Sequence, residues 1–237
     1  MTALLWAVVA GLGNVVGGAV LIRHRPGSVR LLEAFIALGA GFMLAVTLAD
    51  VIPEAFALDP RGAALYVLAG YLAVHLAQHV LTPHFHFGEE THTINVVTGV
   101  SALLGLLLHT FFDGVAIASG FGVSSQLGIL LFLAVFIHKF PEGLTMASVM
   151  LAGGQGRGRA LASAAALGVA TVLGVLATQW VAPLARHGLA LAGGVTLYVA
   201  ASNLVPAFQA RRGWTMPLAF FGGAAVFFAT RAMLGAG

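Results

Sequence analysis

The chain twice sets a histidine four residues ahead of an acid: His109 and Asp113 in HTFFDG, then His138 and Glu142 in HKFPEG. On an α-helix, residues i and i+4 stand on one face about one turn apart. Each pair therefore offers an imidazole and a carboxylate side by side. If the two helices pack face to face, two imidazoles and two carboxylates converge. That donor set suits Zn²⁺ and also Cd²⁺, Fe²⁺ or Mn²⁺, among which His and carboxylate discriminate poorly. Two carboxylates also offset the double charge of such an ion, leaving the bound complex nearly neutral in a low dielectric. A single buried His or Asp is ordinarily a satisfied polar contact. Four in two copies of one pattern point to a metal site, because ionisable groups in apolar helices are costly.

The residues around the two hexapeptides bear on the same chemistry. Lys139 lies near the middle of its apolar stretch, too far from either interface to snorkel. It has to pair with an acid, either Asp113 or Glu142, as a fixed charge beside the carboxylates or as a structural ion pair. Pro141 removes one backbone hydrogen bond and frees a carbonyl about one turn earlier. Such backbone is tolerated at membrane depth where it lines a cavity or ion path. Gly114 and Gly143 directly follow the acids and let helices approach closely.

Other clusters are open to two readings. ADVIPEA at 49–55 sets Asp50 and Glu54 four apart beside Pro53, as an inlet for cations or as a helix end stabilised by acids. His75 and His79 mark an exit path or a polar face packed on another helix. HFHFGEETH at 84–92 brings His84, His86 and His92 together with two Glu, as metal ligands or as a solvated linker. VAASNLVPAF at 199–208 echoes the proline-containing second stretch, with Asn203 as its polar residue.

These groups have to be positioned by helices in lipid. Of 237 residues, 59% are hydrophobic and only 8% charged, and the mean hydropathy is +0.99. A soluble domain carries roughly a quarter of its residues charged, so the outer surface here must face lipid. Apolar stretches predict eight spans, at about 2–22, 31–57, 62–82, 95–121, 126–151, 159–182, 188–209 and 215–234. Turn chemistry separates them: Arg-Pro-Gly at 25–27, Asp-Pro-Arg-Gly at 59–62, Ser-Ser-Gln at 124–126 and Gly-Gly-Gln-Gly at 153–156. Arg-His-Gly at 186–188 and Arg-Arg-Gly at 211–213 close the later spans. The first stretch lacks a basic leading segment and is followed by Arg23 and Arg25, so it reads as a span starting outside. Seven arginines then fall in cytoplasmic loops against three outside, which agrees with the positive-inside bias. The expected fold is one all-α membrane domain over 1–237: eight transmembrane helices, both termini outside, and a His-rich cytoplasmic loop at 83–94. There are no cysteines, which excludes disulfides and thiolate metal sites. The net charge of +3 rests on a few groups, mostly in loops, and does not argue for nucleic acid.

At the paired hexapeptides the sequence resembles the ZIP (Zrt/Irt-like) family of divalent metal transporters, and most nearly its bacterial branch. In that branch the fourth and fifth helices carry related His- and acid-bearing motifs ending in Gly. The likeness covers nearly the whole chain, including the span count, outside termini, the His-bearing loop and the PEA ending of helix two. It implies uptake of Zn²⁺ or similar ions towards the cytoplasm across the inner membrane, a transport site between helices four and five, and often a homodimer. By the family's motif the first metal position falls on His109, Asp113 and Glu142, with His138 beside it. Members that hold a second metal use an Asn after the first His, an acid before x-P-E and a Glu in helix six. Those positions read Thr110, Lys139 and, by a loose alignment, Thr171. All three departures remove ligands and one inserts a cation, so the resemblance implies a single metal with Lys139 near the place of the second.

Transport is therefore the leading function, with the ion passing from Asp50 and Glu54 to the centre and leaving past His75, His79 and the loop. No organic cofactor is called for. A membrane-embedded zinc hydrolase would need an open metal with a water-activating base, such as H-E-x-x-H on a helix, and the sequence has none. A haem cytochrome could use His109 and His138 as axial ligands, but the paired acids beside the iron would be odd. An enzyme is not expected.

Overall fold

The computed structural model describes residues 2–23, 29–78, 96–206 and 213–235. Among them every regular element is helical: α1 (Thr2–Arg23), α2 (Val29–Val46), α3 (Ile52–Leu58), α4 (Ala63–Leu76), α5 (Val96–Val123), α6 (Ser125–Ala152), α7 (Arg157–Trp180), α8 (Ala182–Tyr198) and α9 (Thr215–Met233). A π-helical turn, Thr47–Val51, joins α2 to α3, and a second, Val199–Leu204, extends α8. Seven helical stretches are long and apolar enough to cross a membrane, the second uniting α2, its π turn and α3. The 14-residue α4 is shorter, and the rest of the span expected at 62–82 runs past the described residues.

Local chemistry explains the breaks. The Asp59 carboxylate accepts the Gly62 N–H at 2.8 Å and turns the chain from α3 into α4. Ser124 caps α6 by accepting the Leu127 N–H at 3.1 Å, so α5 and α6 are separated by one residue. Gly154, at φ +82°, lets the chain leave α6 for α7. One expected break is overturned. Arg186, His187 and Gly188 lie inside α8, which starts at Ala182 and not at 188. The turn falls instead at Val181, in extended backbone, and Pro183 occupies the first helical turn, where no N–H is needed. His187 has partners inside the fold: it stacks on Tyr66 with ring centroids 3.9 Å apart, and its Nδ1 is 3.8 Å from Asp59.

Helices in lipid gain little by burying apolar surface from one another, so close backbone packing has to hold them. α2 packs on α9 and α4 on α8. Both contacts are reciprocal: a Cβ on Gly41 would strike the Phe220 carbonyl and one on Gly223 the Leu38 carbonyl, as Gly70 meets Leu191 and Gly194 meets Val67. α1 lies on α6 and α7, while α5 lies on α7 and α6. The helices before α5 and those after α6 thus flank the central pair in matching ways. The π turns match too, since Asp50 and Asn203 each stand three residues before a proline, Pro53 and Pro206. Apolar side chains such as Leu65, Phe221 and Leu218 point outward, as a lipid-facing surface requires.

Candidate metal centre

α5 and α6 pack on one another, and glycines seat each of them on a further helix. A Cβ on Gly143 would fall on the backbone of Asn14, and one on Gly17 on the Phe140 carbonyl, so α1 and α6 touch backbone to backbone. Gly114 meets the Thr171 carbonyl and Gly174 the Phe111 carbonyl, which seats α7 on α5. The glycines after the two acids therefore serve contacts to α1 and α7, not to each other. α6 passes Pro141 without interruption.

Three buried groups meet at one oxygen of a fourth. Asp113 Oδ2 lies 2.6 Å from Lys139 Nζ, 3.4 Å from His138 Nε2 and 3.5 Å from His109 Nε2. One ligand atom each from His109, Asp113 and His138 lies within 4.8 Å of the others. The two imidazoles stack with centroids 5.6 Å apart. His138 Nδ1 is 2.8 Å from the Ala134 carbonyl, which can only accept, so that nitrogen carries a proton. In the neutral ring, Nε2 then turns a lone pair towards Asp113, an arrangement that favours a cation between them. His109 Nδ1 is buried with no hydrogen-bond partner among the described residues.

Glu142 stands apart from this trio, with its oxygens engaged. Oε1 accepts from Thr110 Oγ1 at 2.7 Å, and Oε2 accepts from Lys139 at 2.7 Å and from Asn14 Nδ2 at 3.0 Å. Lys139 thus pairs with both acids at once, and its side chain is 0% exposed. Its Nζ also donates to Thr110 Oγ1 at 3.4 Å. Thr171 is buried, but its hydroxyl reaches its own helix at the Leu167 carbonyl, 3.4 Å away. Thr110 and Lys139 are brought to the acids; for Thr171 only the backbone carbonyl is placed against α5.

His109, His138 and Glu142 line a cavity of about 40 Å³, together with Pro141, Thr145 and Asn203. It has room for a water-sized guest. Asn203 reaches this cavity from the second π turn, a kind of helix distortion common at functional sites. Asn14 and Thr145 are further polar residues at the centre that sequence reasoning missed. Asn14 carried a usable signal, because it is the lone amide in an otherwise apolar first span and sits among glycines.

The outlying candidates are more scattered. Asp50 and Glu54 line a cavity of about 370 Å³ with Ser124, Gln126 and Arg231, and Arg231 Nε is 3.0 Å from Asp50 Oδ1. His75 is exposed, its ring edge-on to Tyr198 at 5.7 Å. His79, His84, His86 and His92 lie outside the described residues.

A sequence model of the family described as ZIP Zinc transporter matches residues 73–231. The zinc transporter GufA of Myxococcus xanthus is 31% identical over 166 residues, covering 65% of this chain and 65% of that protein. Zinc transporter ZIP9 of Micropogonias undulatus is 26% identical over 154 residues, 59% of this chain and 49% of its own. Zinc transporter ZIP4 of Mus musculus is 34% identical over 113 residues, 45% of this chain and 16% of its own. The matched stretches thus span between 16% and 65% of these relatives.

Proposed function

The chain belongs to the ZIP zinc transporter family, and from that premise we propose that it carries divalent metal ions towards the cytoplasm through a single-metal centre. Zn²⁺ is the foremost cargo, with Cd²⁺, Fe²⁺ and Mn²⁺ as competitors for the same ligands. The observation that carries this reading is the convergence of His109 Nε2 and His138 Nε2 on Asp113 Oδ2 beside a buried cavity. The ion rests on His109, Asp113 and His138, and Glu142 supplies the second carboxylate that balances its charge. Lys139 takes the place of a second metal, with Thr110 and Thr171 offering no carboxylate or amide there.

The route runs from Asp50 and Glu54 to the centre and out past His75, His79 and the loop bearing His84, His86 and His92. Together with the apolar stretch expected at 62–82, the seven long apolar helices make eight spans. Both termini then lie outside a bacterial inner membrane, and two copies form the working homodimer. Zn²⁺ uptake into proteoliposomes tests the site. Substituting His109→Ala together with Glu142→Ala should abolish uptake in protein that still melts cooperatively. Uptake surviving that double change would overturn the assignment.

A further inference from the structure

The outer cavity holds a cation of its own. It is bordered by the π turn of the second span, by α3, by the start of α6 and by α9, which contributes Arg231. Arg231 Nε approaches Asp50 Oδ1 at 3.0 Å, yet neither Nε nor the buried Asp50 Oδ2 has an aligned hydrogen-bond partner among the described residues. The Arg231 side chain is 35% exposed and that of Asp50 12%. This is an ion pair held by charge and one misaligned contact, unlike the two-pronged Arg–carboxylate fork. Glu54 lines the same cavity.

We infer that Arg231 is a tethered cation that occupies the acidic vestibule and sets which ions enter: an incoming dication has to displace its guanidinium from Asp50. The inference rests on the transport reading above and adds a specificity-determining residue to it. Guanidinium keeps its charge at every working pH, so the occupant leaves only by moving aside. A monovalent ion gains at the carboxylate no more than the guanidinium loses, so charge gives it nothing with which to drive the exchange. A dication gains about twice as much from the same two acids. The partial exposure of Arg231 and its lack of an aligned bond leave the side chain free to swing out. Displacement at the mouth therefore discriminates by charge before any ion meets the imidazoles.

Removing the guanidinium changes the vestibule's formal charge from −1 to −2, counting Asp50, Glu54 and Arg231. A unit charge about 6 Å from a dication in a water-like dielectric is worth about a decade of affinity, and salt reduces this to roughly threefold. Zn²⁺ uptake into proteoliposomes is the measurement. Arg231→Gln should raise Vmax/KM about threefold to tenfold by lowering KM, with the larger factor at low ionic strength. It should also make uptake more sensitive to competing Na⁺ or K⁺. Arg231→Lys should stay near wild type. The chain has no cysteine, so Arg231→Cys gives a single labelling site. Coupling a cationic aminoethyl thiosulfonate to it should restore the higher KM on the same folded protein, and a neutral methyl reagent should not. In an Asp50→Asn background, Arg231→Gln should do much less. A KM that is unchanged or raised in Arg231→Gln and indifferent to the label's charge, with zinc still transported, would overturn this inference. The transport reading would stand, since it falls only by the test at His109 and Glu142.

Discussion

Removing the ammonium from the centre should destabilise the empty protein and tighten its hold on zinc. Lys139 is fully buried and donates to Asp113 at 2.6 Å and to Glu142 at 2.7 Å. Lys139→Met keeps most of the side-chain volume and deletes the charge. Breaking a buried ion pair by removing one partner costs about 3–5 kcal/mol. At about 2–4 °C per kcal/mol for a chain of this size, the melting midpoint without metal should fall by roughly 6–20 °C. The counter-effect comes from zinc. With Lys139 in place the two acids and the ammonium sum to −1, so a bound dication leaves +1. Without it the sum is −2 and the bound complex is neutral. Ligand binding stabilises by RT ln(1 + [L]/Kd), about 2.7 kcal/mol at a hundredfold excess over Kd, so a tighter Kd yields a larger zinc-induced shift. The assay is thermal melting of purified protein across a zinc titration, with elemental analysis of bound metal. Wild type should hold one zinc at the centre, and Lys139→Met should hold one more tightly, with a larger midpoint shift at every zinc level. An unchanged midpoint and an unchanged zinc response would refute the charge-compensation argument. Two metals at the centre of the wild type would refute the single-metal reading.

Two further substitutions, with Gly222→Ala as a control, test how the centre is built. Gly143→Ala should lower both the melting midpoint and zinc uptake, the latter by about tenfold or more. Its Cβ falls on the Asn14 backbone, and even small misplacements of ligands are expensive. A Cβ at Gly222 meets nothing within 4 Å, so Gly222→Ala should leave uptake unchanged, with stability equal to wild type or raised by up to ~1 kcal/mol of helix propensity. Asn14→Ala should cost about 1–3 kcal/mol by stripping a donor from buried Glu142. Its uptake should show a changed KM, whereas a loss confined to the amount of folded protein would make Asn14 a packing residue only.

The grouping of the central side chains was legible because its spacing is local. A His and an acid four apart on a helix share a face whatever the fold does elsewhere, and the pairing of Lys139 followed by elimination in a span too long for snorkelling. What could not be read needed contacts between distant elements. Asn14 reaches Glu142 only because Gly17 and Gly143 bring α1 against α6. Arg231 stands in the last turn of α9, and nothing local in the sequence ties it to Asp50. Arg-His-Gly at 186–188 read as a loop because its composition is that of one. The helix keeps it because His187 stacks on Tyr66 and Gly188 lets α8 lie on Ser119 of α5. The π turns have no clear sequence signature beyond a proline shortly after them. They matter because they place Asp50 on the cavity beside Arg231 and Asn203 on the cavity at the centre.

The Lys139 ammonium explains how a fold with two buried acids at its centre survives while empty. Two carboxylates in a low dielectric without counter-charge would cost more than a marginally stable fold can bear. A permanent cation solves that problem and weakens the site for its cargo, which is useful, because conduction requires binding favourable enough to enter and weak enough to leave. Lys139 and Arg231 should differ in what they limit. Arg231, partly exposed and held by one misaligned contact, yields to the ion and acts on capture. Lys139, fully buried and bonded to both acids, stays in place and acts on release. Lys139→Met should therefore lower both KM and the maximal rate, since a neutral zinc complex leaves more slowly than one of +1. Arg231→Gln should lower KM while the maximal rate holds within about twofold. A fall in maximal rate in Arg231→Gln, or an unchanged one in Lys139→Met, would show that the two cations do not divide capture and release in this way.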